Sequence, residues 1–266
     1  MVYLYVLSGL ALGLGGLVSS EAGNAGRLPS GYESVTKGII YERFGDEISD
    51  TPGYRYQRIE ETGGYGRRVI SRYTDLNNKV LVDELTEYDP SGQFQRYSMD
   101  QKQINEIGTM EVRGNKVHYT LQKPDGTGGH KTETAEQDLK ENTVCVDQMI
   151  DYLKAHWDDL KNDKDLDIRF AVVSRKEAID FKLQKEDVLQ GPNGKERLVI
   201  RLTPSNFFIR LFVNPIFLTF EMGENRRILE VRGRFPIKRR FKDNDFGDIE
   251  GVLRFDYNQG LAGAGS

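Results

Sequence analysis

The chain has 266 residues with 37 Lys plus Arg against 41 Asp plus Glu, a formal charge of −4. It therefore lacks the basic excess of a sequence-independent nucleic-acid binder. Apolar residues make up 38% and charged residues 29%, which is polar for a folded domain, yet 13 Phe, 13 Tyr and recurring Val, Ile and Leu keep the chain out of the disordered class. A single Cys excludes an internal disulfide and a Cys-rich metal site, and the three His, at 118, 130 and 156, show no ligand spacing.

Residues 1–20 contain no charge. Val2–Leu7 and Leu10–Val18 are apolar, diluted by Gly9, Gly13, Gly15 and Gly16, and the small residues Ser20, Ala22, Gly23 and Ala25 follow. Small residues in that place suit a signal-peptidase cut, whereas a spanning helix needs about 20 strongly apolar residues. Residues 1–25 therefore read as a signal peptide, with a retained N-terminal anchor as the alternative. The first basic residue is Arg27, later than a signal normally places one. The expected address is periplasmic or otherwise exported, with membrane contact only through this segment if it stays uncleaved.

From Gly38 the dominant period is two, the signature of strands. Ile39 and Tyr41 alternate with Ile40 and Glu42; Tyr54, Tyr56 and Arg58 share one phase; Val69, Ser71 and Tyr73 share another. Val80–Tyr88 ends at Asp89-Pro90-Ser91-Gly92, which is turn chemistry. Val112–Leu121 reads as a hairpin about Gly114-Asn115, and Lys123–Lys131 as a loop. The exception is Val146–Lys161, where Val146, Met149, Ile150, Leu153, Trp157 and Leu160 form one continuous stripe at helical spacing. Cys145 directly precedes it and is expected in the core. Strands resume with Ile168, Phe170 and Val172, then Ile179, Phe181 and Leu183, then Leu198–Leu202, Ile216–Met222, Ile228–Arg232 and finally Val252–Phe255. The fold class that follows is mainly β, an antiparallel open or closed barrel built as a meander, with one amphipathic helix packed on or in it. The expected layout is one β-rich domain over 36–257 and a small-residue tail over 258–266.

Catalytic motifs are missing: there is no G-x-S-x-G, no Walker A and no H-E-x-x-H. Cys145 and His156, on one helix about 16 Å apart by its rise, cannot form a dyad. Neither an enzyme nor a cofactor is the leading expectation. The acidic run Asp243–Glu250 lacks the EF-hand order and reads as a solvated turn, and the preceding Lys238-Arg239-Arg240 as a charged strand end, with contact to anionic headgroups the minority option. The most informative segment is 206–218, apolar on both alternation phases with Arg210 inside it. Such a segment is covered on both sides or lines an apolar cavity, and its guanidinium pairs with an internal carboxylate, snorkels to the surface or meets an anionic ligand.

The run Ala155-His156-Trp157-Asp158-Asp159-Leu160, then Ile168-Arg169-Phe170 and Ser174-Arg175, then Arg210-Leu211-Phe212-Val213-Asn214-Pro215-Ile216, resembles the H-W-D-x-L, P-S-R and R-L-x-x-x-P-I pattern of a family of exported bacterial β-rich proteins without an assigned activity. Val173 stands where that pattern has Pro. More distantly, strands around one helix resemble the half-barrel of periplasmic lipoprotein carriers, a likeness of fold alone. The resemblance implies compartment and architecture, not chemistry.

The leading expectation is a non-catalytic envelope protein with an apolar pocket for a lipid or other amphipathic ligand. Its walls would be Trp157, Phe170, Phe181, Phe208 and Phe212, and its headgroup anchors Arg169, Arg175 and Arg210. The alternatives are a structural or partner-binding envelope module with a filled core, and an enzyme of unknown class.

Overall fold

The computed structural model describes residues 32–211, 213–241 and 245–257. Residues 1–25, read above as a signal or anchor, residues 258–266, read as a tail, and Phe212 lie outside them. The first half of the chain is a meander: β1 (Tyr32–Phe44) with the short β2 (Glu47–Ile48) folded onto its end, β3 (Tyr54–Gly63), β4 (Gly66–Asp75), β5 (Val80–Tyr88), β6 (Phe94–Gln101), β7 (Glu106–Arg113), β8 (Lys116–Pro124) and β9 (His130–Asp138). After β10 (Thr143–Val144) come α1 (Val146–Ala155) and α2 (Trp157–Lys161). A second meander follows: β11 (Leu166–Val172), β12 (Glu177–Gln190), β13 (Glu196–Pro204), α3 (Phe207–Arg210), β14 (Ile216–Glu221), β15 (Ile228–Arg240) and β16 (Phe246–Asp256).

All strands among the described residues belong to one 16-stranded sheet, in the order β10-β11-β12-β13-β14-β15-β16-β1-β3-β4-β5-β6-β7-β8-β9 with β2 on β1. The ladders are antiparallel except the two-residue β10–β11 pair. The two meanders are zipped together by β1 and β16, from Lys37↔Asp256 to Glu42↔Gly251. Alternation fixes which face turns inward, because successive side chains leave a strand on opposite sides. The turns obey their chemistry. Asp89 Oδ1 accepts from the backbone N–H of Ser91 (2.8 Å) and Gln93 (3.0 Å), while Gly92 takes φ +83°.

The sheet curls around the helix pair. Met149, Leu153 and Leu160 are fully buried, each contributing about 1.5–3 kcal/mol of hydrophobic stabilisation. Gln148 Oε1 accepts from the Cys145 backbone N–H at 3.0 Å, closing the N-terminus of α1. The stripe expected as one helix is broken at His156 (φ −102°, ψ 23°). Arg226 explains the tolerated break: its guanidinium donates to the Lys154 carbonyl (2.9 Å) and lies over the Trp157 ring (5.3 Å). A carbonyl freed at the joint is thus satisfied from the β14–β15 turn.

Two devices close the interior. Beyond Phe235 the β15–β16 register shifts, and β15 meets the β6–β7 turn. Gln101 Nε2 donates to the Pro236 carbonyl, Gln103 Nε2 to the Lys238 carbonyl (2.7 Å), and the Lys238 N–H to Gln103 Oε1 (2.8 Å). At the β11–β12 connection, buried Val173 packs onto Gly108 of β7, where any Cβ would strike Val173 Cγ1. Edge strand β9 meets the β11–β12 connection and the start of β12 through side chains. The Ala178 N–H donates to Gln137 Oε1 (2.6 Å), and Lys176 pairs with Glu133 (2.6 Å). The barrel is therefore open, with a side-chain-laced seam between β9 and β12.

Two sequence expectations change. Residues 246–250 are the start of β16 rather than a turn, since Asp248 and Glu250 alternate with buried Ile249 and meet cations on the neighbouring strands. β9 had no apolar alternation to announce it; its residues are polar and largely exposed, as suits an edge strand.

Candidate functional site

The inner face of the sheet is chemically divided. Strands β11–β16 and the helix stripe supply apolar groups, with Phe170 against Phe181 (ring centroids 6.3 Å) and Trp157 against Phe220 (5.6 Å). Strands β3–β6 instead turn Tyr56, Arg58, Glu60, Ser71, Tyr73, Glu84, Thr86, Tyr97 and Gln101 inward, all buried. At their centre the Arg58 side chain, 1% exposed, pairs with Glu60 (2.8 Å) and with Asp147 in the first turn of α1 (3.4 Å). Arg67 extends the network to Glu60 (2.7 Å) and Asp151 (3.2 Å) while covering the Tyr88 ring. Tyr97 OH donates to Glu84 Oε1 (2.7 Å), and Tyr56 and Ser71 share a hydrogen bond (3.0 Å).

Burial sets the charge states. It pushes the Glu84 carboxyl well above the carboxylate range. It also raises Asp147, against the pull of Arg58 and Arg67. Glu60 is held below its ordinary value because the two guanidiniums overcome its burial. Burial, then Asp147, lifts the Cys145 thiol far above neutrality, so it is protonated and a poor nucleophile. The network braces the helix against the β3–β5 wall.

The expected site residues separate into three groups. Trp157, Phe170 and Phe181 are buried in the core, where side chains of the sheet and helix occupy the space beside them. Arg169 and Arg175 are half-buried and pair with their own neighbours Asp180 (3.0 Å) and Glu177 (2.5 Å). Phe208 is 73% exposed and Arg210 is exposed too, which corrects the expectation that this segment lines an interior cavity. Its reason is local. Asn206 caps α3 through the N–H groups of Phe208 (2.8 Å) and Ile209 (3.4 Å), and the single turn leans on the body only through Ile209. Phe212, the remaining expected wall, falls outside the described residues. The guanidinium that does sit inside on internal carboxylates is Arg58. Its phase with Tyr54 and Tyr56 was the available signal; Asp147, 89 positions away, gave none.

A cleft of about 360 Å³ opens between the β5–β6 turn, strands β7 and β8 and the segment entering α1. Phe94, Met110, Val112, Val117, Leu139, Val144, Cys145 and Gln148 line it. Among the described residues no group of His, Cys, Asp or Glu is arranged to hold a metal ion, and no helix is long and apolar enough to cross a membrane.

Fold and interior together define an open β-barrel wrapped on a helix and braced by buried ion pairs. No protein-family model and no curated protein matches the chain. Among solved structures it is similar to a beta-barrel-like protein of domain of unknown function DUF1849 from Brucella abortus. That similarity covers 84% of this chain and 97% of the other, at 13% identity and a TM-score of 0.49.

Proposed function

We propose that this chain is a non-catalytic binding module of the cell envelope whose interior is filled and whose ligands are met at its surface. The supporting observation is the occupied interior: the helix stripe packs on the apolar half of the sheet, the Arg58 network on the polar half, and β15 and Val173 close the mouth. Nucleophile chemistry finds no support. Cys145 is buried and protonated, Ser174 lies in the β11–β12 connection, and His156 sits on Asp159 and Tyr152 beside the helix joint. The envelope address rests on residues 1–25, and a reporter that is active only after export, fused behind them, tests it.

Native mass spectrometry of the protein purified from its own envelope tests the filled interior. The expected spectrum carries no lipid mass. A second reading, a short amphipathic ligand in the 360 Å³ cleft, is favoured by the half-buried Phe94, Val112 and Leu139 on its wall. A bound mass lost on Val112→Glu supports that second reading, whereas one that survives the substitution restores an interior carrier and overturns the proposal.

A further inference from the structure

The first turn of α1 serves two places at once. Asp147 enters the Arg58 network, while its neighbours Cys145 and Gln148 line the 360 Å³ cleft. A second bridge starts at Arg67, whose guanidinium lies over the Tyr88 ring (4.8 Å). Tyr88 meets Phe94 edge-on (6.2 Å), and Phe94 lines the same cleft. The wall that braces the helix is thus mechanically joined to the wall that shapes the cleft.

The network is short of positive charge. Arg58, Arg67 and half-buried Lys154 stand against Glu60, Glu84, Asp147 and Asp151, three cations for four carboxyls. Asp151 is open to water, but Glu60, Glu84 and Asp147 are buried. Glu60 is held by both guanidiniums. Glu84 has no such support. Among the described residues no cation pairs with it, and its Oε2 has no hydrogen-bond partner. The groups that face it are the Tyr97 hydroxyl of β6, the Tyr73 hydroxyl of β4 and Asp147 of α1, with Asp83 behind it, itself held by Arg72. Around Asp147 the Thr86 hydroxyl donates, and Tyr56, Tyr88 and Cys145 add phenol and thiol groups but no cation. Tyr257, after β16, closes on Arg58. A dry carboxyl without a cation keeps its proton. Where two carboxyls face each other, that proton belongs to the pair.

We infer that the interior stores one proton, shared by Glu84 and Asp147, and that its release lifts the first turn of α1 from the β3–β5 wall and opens the cleft. The device is a latch, shut while the pair is protonated and loosened as pH rises, because two carboxylates then repel across the joint that α1 needs. It does not depend on what the cleft binds. The sign follows from linkage. In the opened form both carboxyls are solvated and ionise in the ordinary carboxylate range, whereas burial makes the closed form hold its proton to higher pH. Opening therefore becomes easier with every pH unit between those two limits.

Cys145, the one cysteine of the chain, reports on it from the cleft wall. The full native chain is alkylated with iodoacetamide across pH, and each rate is divided into that of the urea-unfolded chain at the same pH. The ratio removes the thiolate's own pH dependence and leaves the protection given by the fold. Protection is expected to fall about tenfold per pH unit above the ordinary carboxylate range, and low, non-denaturing urea should leave the native rate unchanged, the mark of local opening. Glu84→Gln removes the titration and is expected to flatten the profile. Three outcomes overturn the inference: protection that does not vary with pH, a fall that persists in Glu84→Gln, or a native rate with the urea dependence of global unfolding, which makes the proton a property of the whole fold. The first and third are read on the unaltered chain, so they decide it even where Glu84→Gln fails to fold.

Discussion

Arg58 shows how much one buried charge commits a fold. Its guanidinium is satisfied by Glu60 on its own strand and Asp147 on the helix, so removing it strands two carboxylates away from water. Arg58→Met is expected to lower unfolding free energy by about 3–5 kcal/mol in urea titrations; a loss below about 1 kcal/mol would contradict the bracing role. Glu84 runs the other way. Its folded pKa is raised by burial, so above the unfolded value of about 4.3 the unfolded chain releases a proton that the folded chain keeps. Stability from this group is greatest at acidic pH and declines as pH rises through that window. Glu84→Gln, which keeps an acceptor for Tyr97, should flatten the decline and raise stability near neutrality, as read from urea midpoints across pH. Cys145 should resist a thiol reagent in the native protein and react once unfolded, since its high pKa comes from burial.

At the scale of elements, legibility followed periodicity. Strands with one apolar phase, such as Ile168-Phe170-Val172 and Ile179-Phe181-Leu183, announced both their conformation and their inner face, and the helix stripe named the residues that now fill the barrel. Segment 206–218 could not be read this way. Its apolar residues occupy both phases, and whether they are covered depends on the Asn206 cap and the neighbouring strands rather than on the segment itself. The break at His156 was equally hidden, because it depends on Arg226, 72 positions beyond the carbonyl it satisfies. Close approach between elements has a cheap test at Gly108. A Cβ there strikes Val173, so Gly108→Ala is expected to cost about 1–3 kcal/mol, and pairing it with Val173→Ala should recover part of the loss.

For the whole molecule, the decisive connection is between its two chain ends. β1 waits for β16, synthesised about 200 residues later, before the two meanders share one sheet. Pairing at that separation is slow because loop closure comes before its reward. A chain ending at Asp245 lacks the zipper and is expected to lose its single cooperative thermal transition, whereas removal of 258–266 should leave it intact. The same arrangement explains why the site was only partly legible. Arg58, Asp147 and Arg67 come from distant elements, and alternation gives direction without naming the partner.

The side-chain lacing between β9 and β12 gives the molecule a hem. Among the described residues, neighbouring strands of the sheet are stitched by backbone hydrogen bonds, whereas edge strand β9 meets the start of β12 through Gln137 to Ala178 and the preceding Lys176 through Glu133. The barrel therefore has a line along which it swells before it unravels. Amides of the β8–β9 flap should take up deuterium sooner than those of the β1–β16 zipper, and Gln137→Ala should hasten the flap alone.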